Sequence, residues 1–261
     1  MSKLRIKFVY EHGTADEHAL NAYDGARALE GIARAMNITL HALLNEEVKT
    51  RGDSAQGAVV FISPPRAGSF VYELSIFLGG TISSGLVYDF IKYAFNEAIG
   101  NELAEPQSRT LQSRIEPTMG ELPAALETAL LEAHRPISQA PEMTLTVTRP
   151  RGEVLVELNS TTINSLQPVI SPLNVPILGH VTRYNTISMW GKMYSQEDRR
   201  VVSFQILGDL DTHQRSLITW SLHQNNLGHD GTVEIRGRAL TSQNSSRVKR
   251  YLVESVIQRS V

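Results

Sequence analysis

The sequence predicts an α+β protein of two domains, a helix-rich domain on a small antiparallel sheet followed by a small β-barrel. Three observations carry this. Residues 3–11, KLRIKFVYE, alternate, with Leu4, Ile6, Phe8 and Tyr10 on one face, which is the period-two pattern of a half-buried strand. The segment after it changes to apolar residues three or four apart, the stripe of a helix with one face committed to a core. Beyond residue 141 the helical texture gives way to short alternating runs bounded by turn residues, the pattern of a β-rich domain.

In the first half, Thr14 and Glu17 form a Thr-x-x-Glu capping box that is expected to open a helix. Its stripe is Leu20, Tyr23, Leu29, Ile32, Met36, Leu40 and Leu43, and Gly25 and Gly31 on the same helix permit close approach of another element. Residues 58–62, AVVFI, ending at Ser63-Pro64-Pro65, and 69–77 are expected as a hairpin joined by the turn Arg66-Ala67-Gly68. A helix is expected over 85–99, with Ser83 or Ser84 as its cap. Residues 101–118 have the polar composition of a connector, and Pro123 then sits in the first turn of a helix, where its missing N–H is harmless. The segment PISQAP, 136–141, is the expected linker, which divides the chain into residues 1–135, a linker at 136–142, and residues 143–261.

In the second half, strands are expected at 144–148, 154–158, 177–184, 187–194 and 200–207. A helix follows over 212–225, capped by Asp211 at its start and Gly228 at its end. Two more strands, 232–240 and 248–257, finish it. The order β-β-β-α-β-β over 175–258 resembles the OB-fold, a five-stranded barrel that binds oligonucleotides or sugars through one face. The predicted second domain is therefore OB-like.

Composition excludes several classes of function. The chain has no cysteine, so thiolate metal sites, iron–sulfur clusters, disulfides and cysteine nucleophiles are impossible, and a reducing, cytoplasmic compartment is expected. The uncharged run 74–88, LSIFLGGTISSGLVY, is 15 residues long, short of the roughly 20 that a spanning helix needs. No membrane association is expected, and the N-terminus lacks the apolar region of a secretory signal. Residues 1–140 carry 12 Lys/Arg against 17 Asp/Glu and residues 141–261 carry 13 against 10. That mild basic excess suits an anionic partner but falls short of a dedicated nucleic-acid binder.

Candidate chemistry is sparse. Glu11, His12, Asp16, Glu17 and His18 are dense in metal-ligand types, but Asp16 and Glu17 are better placed as helix-terminal carboxylates. Asp209, Asp211 and His213 could serve a metal-dependent hydrolase, with Asp211 equally explained as a cap. His223, His229 and Asp230 lie at the other end of the same helix, about 20 Å away. Gly79 to Gly85 lacks the Gly-Lys-Ser/Thr ending of a phosphate loop. No metal and no cofactor are expected. The most suggestive set is on the barrel: Trp190, Lys192 and Tyr194 alternate along one strand as an outward face, with Arg236 and Arg238 adding charge. Such a face suits either stacked bases or a protein interface.

The segments Tyr23-Asp24-Gly25, Leu29-Glu30-Gly31, 64–70 (PPRAGSF) and 88–92 (YDFIK) resemble an uncharacterised bacterial family classed as a domain of unknown function. The resemblance implies a bacterial cytosolic protein, encoded among mobile or antiphage-defence genes, and implies no catalytic residue. The expected function is that of a non-enzymatic binding or regulatory protein in a homo-oligomer or larger complex. The alternatives are a nucleic-acid or nucleotide binder using the barrel, and a metal-dependent hydrolase.

Overall fold

The computed structural model describes residues 2–52, 54–63, 70–80, 82–101, 106–150, 152–242 and 247–258. It is an α+β structure of two units, one comprising residues 1–118 and 122–167 and the other residues 119–121 and 168–261. No helix among the described residues is long and apolar enough to cross a membrane. The expected turn at 66–68 lies outside the described residues.

The first unit is built on a five-stranded antiparallel sheet. Its strands are β1 (Ser2–Glu11), β2 (Ala58–Ser63), β3 (Phe70–Leu78), β4 (Thr144–Thr148) and β5 (Val154–Leu158), in the spatial order β2-β3-β1-β4-β5. The alternation in β1 does what period two requires. Leu4, Ile6, Phe8 and Tyr10 are buried, and Lys3, Arg5, Lys7 and Val9 point the other way. The buried face is covered by helices α1 (Ala22–Asn45), α2 (Ser84–Ala98), α3 (Arg109–Ile115), α4 (Glu121–Ala133), α5 (Arg135–Gln139) and α6 (Ser160–Leu166). The apolar run 74–88 is absorbed by β3 and by α2, which buries Val87, Phe90, Ile91, Ala94 and Phe95.

Three tyrosine hydroxyls join strands to helices. Tyr10 donates to the Ala133 carbonyl at 2.6 Å, Tyr72 to Gly25 at 2.9 Å, and Tyr88 of α2 to Arg5 at 2.8 Å. Burial pushes the Tyr10 hydroxyl well above its ordinary pKa, so it stays a donor at any working pH. Gly31 is the contact point between α1 and α4: a Cβ there would lie 2.5 Å from the Ala129 carbonyl oxygen. Beside it Arg27 grips Glu132 with two hydrogen bonds of 3.0 and 3.2 Å.

Three expectations are corrected. The helix expected from Thr14 does not start there. Residues Gly13–Glu17 form a 3-10 turn, and α1 begins at Ala22 with the Asn21 side chain accepting the N–H groups of Tyr23 and Asp24. Segment 136–142 is not an interdomain linker, because α5 occupies most of it with Pro136 and Ile137 buried. The chain divides instead after residue 167, because β4 hydrogen-bonds to β1 and β5 to β4.

The second unit is a closed barrel of β6 (Val169–Asn185), β7 (Trp190–Ser195), β8 (Arg200–Ile206), β9 (Val233–Thr241) and β10 (Val248–Gln258) in the cyclic order β10-β8-β7-β6-β9. Every pairing is antiparallel except β8 with β10. With α7 (Thr212–Asn226) between β8 and β9, this is the OB-like connection pattern. The long strand β6 changes partners at Gly179, which faces Ser195 of β7 and Val233 of β9. A Cβ at Gly179 would fall 1.9 Å from the Tyr194 carbonyl oxygen, so the corner admits only glycine. Helix α7 is fastened by Ser221, which accepts the Val181 N–H at 2.9 Å and donates to Gly231 at 2.6 Å.

Two outcomes follow. Separating the chain at 167/168 is expected to leave residues 1–167 folded, whereas a fragment ending at 135 loses β4 and β5 and with them one side of β1. Circular dichroism melts of both fragments distinguish this boundary from one at 136–142. Replacing Gly31 with Ala gains at most about 1 kcal/mol of helix propensity. The new methyl meets backbone that cannot swing aside, and overpacking of this kind costs about 1–3 kcal/mol. A net loss of stability in denaturant titration is therefore expected, and a stabilised Gly31→Ala protein would show that α1 and α4 are not held this closely.

Candidate binding surfaces

The five barrel residues singled out from sequence do not form one site. Trp190, Lys192 and Tyr194 share the outer side of β7, since Met193 between them lies in the barrel core. Along β6, Tyr194 lies opposite His180 and Lys192 opposite Arg183, while Arg236 lies opposite Pro176 and Arg238 opposite Asn174. At roughly 3.3 Å per residue, the Lys192 and Arg236 rows are about 23 Å apart along the strand. The two arginines are also engaged, Arg236 with Glu234 at 2.9 Å and Arg238 with Glu254 at 3.0 Å.

Trp190 is not exposed. It is 6% accessible, and residues 119–121 of the same unit lie against it, so that a Cβ on Gly120 would be 2.9 Å from the indole Cε3. The Arg250 guanidinium lies 6.0 Å from the ring centroid, within reach of a cation–π attraction. Tyr194 stacks on the His180 imidazole with centroids 5.4 Å apart and planes at 16°. The aromatic set is thus already packed against groups of its own unit. The strand also begins later than expected: 186–189 is a turn held by the Asn185 side chain, which accepts the Ile187 and Ser188 N–H groups.

Several members of the acid–histidine sets have local partners. Asp211 accepts the Gln214 N–H at 2.7 Å as the cap of α7, and that bond lowers its pKa. Asp209 is fully exposed, with Arg215 at 3.8 Å. Asp230 accepts from Thr232 and His229 contacts Gln224. Asp16 accepts the His12 N–H at 2.8 Å. Among the described residues no group of three or more His, Asp and Glu side chains is arranged to hold a metal ion.

His134 is the most deeply buried histidine among the described residues. Its Nδ1 lies 2.7 Å from the Leu130 carbonyl, so Nδ1 carries the proton, and Nε2 accepts from the Thr162 hydroxyl at 2.7 Å. Burial lowers its pKa from the usual 6.5 to about 4. With both nitrogens satisfied and no access to solvent, it is a structural joint between α4 and α6, not an acid–base catalyst.

Two surface features of the first unit were not evident in sequence. Strand β2 is at the edge of the sheet and exposes Val59 (45%), Phe61 (56%) and Ile62 (51%). Phe61 meets Phe77 edge-to-face at 5.7 Å, with the Lys3 ammonium 5.2 Å from the Phe77 ring. Separately, Arg34 and His41 of α1 line a recess with residues 49–52 and Ser54. For β2, the absence of any charge in 58–63 was a visible signal. For the recess, the basic segment Lys49-Thr50-Arg51 was visible, but its meeting with α1 is tertiary.

His134 contributes to the pH dependence of stability. The folded state resists protonation that the unfolded chain accepts near 6.5, so its contribution is complete above that value and is lost as pH falls toward 4. The loss is on the order of 3 kcal/mol for a shift of this size. Unfolding titrations from pH 7.5 to 4 are expected to fall more steeply for the wild type than for His134→Gln, and parallel curves would contradict this assignment.

A search of the curated proteins and a search of the solved structures each found no match. A family model does match, over residues 6–167, ending at the last residue of the first unit and leaving the barrel outside it. The chain therefore belongs to the family described as Domain of unknown function (DUF7946).

Proposed function

We propose that this protein is a non-enzymatic binding or regulatory protein that works as a homo-oligomer, pairing with a second copy of itself through β2. One observation carries the reading: β2 is an edge strand that is both apolar and uncharged. Edge strands are ordinarily blunted by charge, proline or a bulge, because their free N–H and C=O groups template further pairing. Residues 58–63, Ala-Val-Val-Phe-Ile-Ser, carry no charge, and they pair with β3 in unbroken register. Two antiparallel copies would set no like charges opposite one another. They would cover Val59, Phe61 and Ile62 and produce a closed twofold pair. The cysteine-free composition supports placing this role in a reducing cytosol.

The barrel reading is less well supported. A base-stacking face needs aromatic rings open to the ligand, and Trp190 is covered while Tyr194 is stacked on His180. The hydrolase reading has to take Asp211 away from its cap.

Light scattering at micromolar concentration is expected to give twice the chain mass of 28.9 kDa, and Phe61→Lys is expected to give the single-chain mass. Phe61 is exposed, so this change leaves the monomer fold intact. A wild type that stays at the single-chain mass across the micromolar range would remove the reading.

A further inference from the structure

We propose that the face of the five-stranded sheet turned away from the helices is a platform for single-stranded nucleic acid, DNA and RNA alike. The inference goes beyond the oligomer reading and rests on a different feature, the flat of the sheet and not its β2 edge. Along the central strand β1, Lys3, Arg5 and Lys7 point to this side, while Leu4, Ile6 and Phe8 beside them are buried under the helices. Successive members of this row are about 7 Å apart. Lys3 and Arg5 are exposed and Lys7 is half-buried. The register fixes what stands beside each. Lys3 is opposite Phe77, Arg5 opposite Ser75 and Lys7 opposite Glu73 of β3. Beyond β3, in the same three rows, stand Val59, Phe61 and Ser63 of β2.

Cations and rings thus form two parallel strips. Phe61 is 56% accessible. It meets the half-buried Phe77 edge-to-face at 5.7 Å, and the Lys3 ammonium lies 5.2 Å from the Phe77 centroid. In the row that joins Arg5 to Phe61, the residue between them is Ser75, a small side chain. The two ends of that row are two strand spacings apart, about 10 Å. A nucleotide laid along it sets its phosphate over the β1 cations and its base on the Phe61 ring. On the other flank of β1, Thr148 stands opposite Lys7 and Thr146 opposite Val9, which adds hydroxyl donors beside the cation row.

Charge and shape choose the occupant. Glu73 engages Arg5 at 3.5 Å, and Glu11 and Glu157 lie on the same face nearer β4 and β5. The rows of Lys3 and Arg5 carry no carboxylate on β1, β3 or β2, so the end of the face that holds the rings is cationic. A phosphodiester chain is an extended polyanion that offers a ring face at each step, and it matches a line of cations beside rings on an open antiparallel sheet. A duplex keeps its bases stacked inward and meets only the cations. No contact in this arrangement calls for a 2′-hydroxyl, the group that tells RNA from DNA. Pairing through β2 would set a strand alongside Phe61 and leave the flat of the sheet open, so either reading can fail alone.

Fluorescence anisotropy on the full chain tests this with oligothymidine and oligouridine of about 12 nucleotides and with a DNA duplex. Both single strands are expected to bind saturably and with similar affinity. Their log affinity should fall against log salt with a slope of about −2, at about −0.7 for each phosphate neutralised. Lys3→Gln combined with Arg5→Gln is expected to flatten that slope to about −0.7. Phe61→Ala is expected to weaken binding about tenfold at fixed salt and to leave the slope unchanged. All three side chains are exposed, and matching thermal melts show that the variants fold. The double substitution lies off β2, so light scattering should give it the wild-type mass, which separates lost binding from lost pairing. No saturable binding of either strand at low salt, or binding that the double substitution leaves unchanged, overturns the proposal. A duplex bound as tightly as a single strand overturns it too, because that shows charge without stacking. So does capture by vesicles of phosphatidylserine and phosphatidylcholine with no oligonucleotide bound, which would make the face a lipid surface.

Discussion

The central strand β1 has to serve two neighbours at once, and the first unit is arranged around that demand. On one side it pairs with β3 along nearly its whole length, and on the other β4 pairs with its second half. Its even-numbered side chains form the floor on which the helices rest, and Tyr10 at its far end reaches up to α4. Because the partner on one side comes from near residue 75 and on the other from near residue 146, the chain between them has to leave the sheet and return. Helices α2 to α5 are that excursion. The late division of the chain follows from the same fact, since a break before β4 would leave β1 half paired and a break before β5 would leave β4 without its outer partner.

Much of this was legible where local chemistry and tertiary demand agree. Strand β1, the β2–β3 pair, α2 with its Ser83 cap, α4 with Pro123, and α7 with its Asp211 cap all lie close to where pattern and capping place them. The losses occurred where a contact distant in sequence overrides a local signal. Proline and serine in PISQAP suggest a linker, yet Pro136 at the start of a short helix is compatible with burial beneath α1. Pro176 suggests the end of a strand, but it sits inside β6 opposite Arg236. Pro172 falls where the register with β9 shifts between Ile170 and Asn174, an irregularity of the kind that accommodates proline.

The candidate sites were less legible for a related reason. Alternation correctly put Trp190, Lys192 and Tyr194 on one side of a strand, but alternation says only which side a residue faces, not what lies against it. Trp190 is covered by residues 119–121, some seventy positions away in sequence. Arg34 and His41 look like polar members of a helix, and their spacing does not reveal that residues 49–52 and Ser54 line a recess with them. Neither relation leaves a periodic trace.

The single parallel pairing of the barrel, β8 with β10, bears on the order in which the chain can be completed during synthesis. Strands β6, β7 and β8 can pair as they emerge, and β9 can dock on β6, but the wall stays open until residues 250–253 reach β8. Until then β8 and β9 each present an unpaired margin. Parallel closure of this kind brings together positions far apart in sequence and is slow to nucleate. An almost finished barrel would therefore expose two unpaired margins until its last strand docks. That interval is when the nascent protein most needs protection from its neighbours.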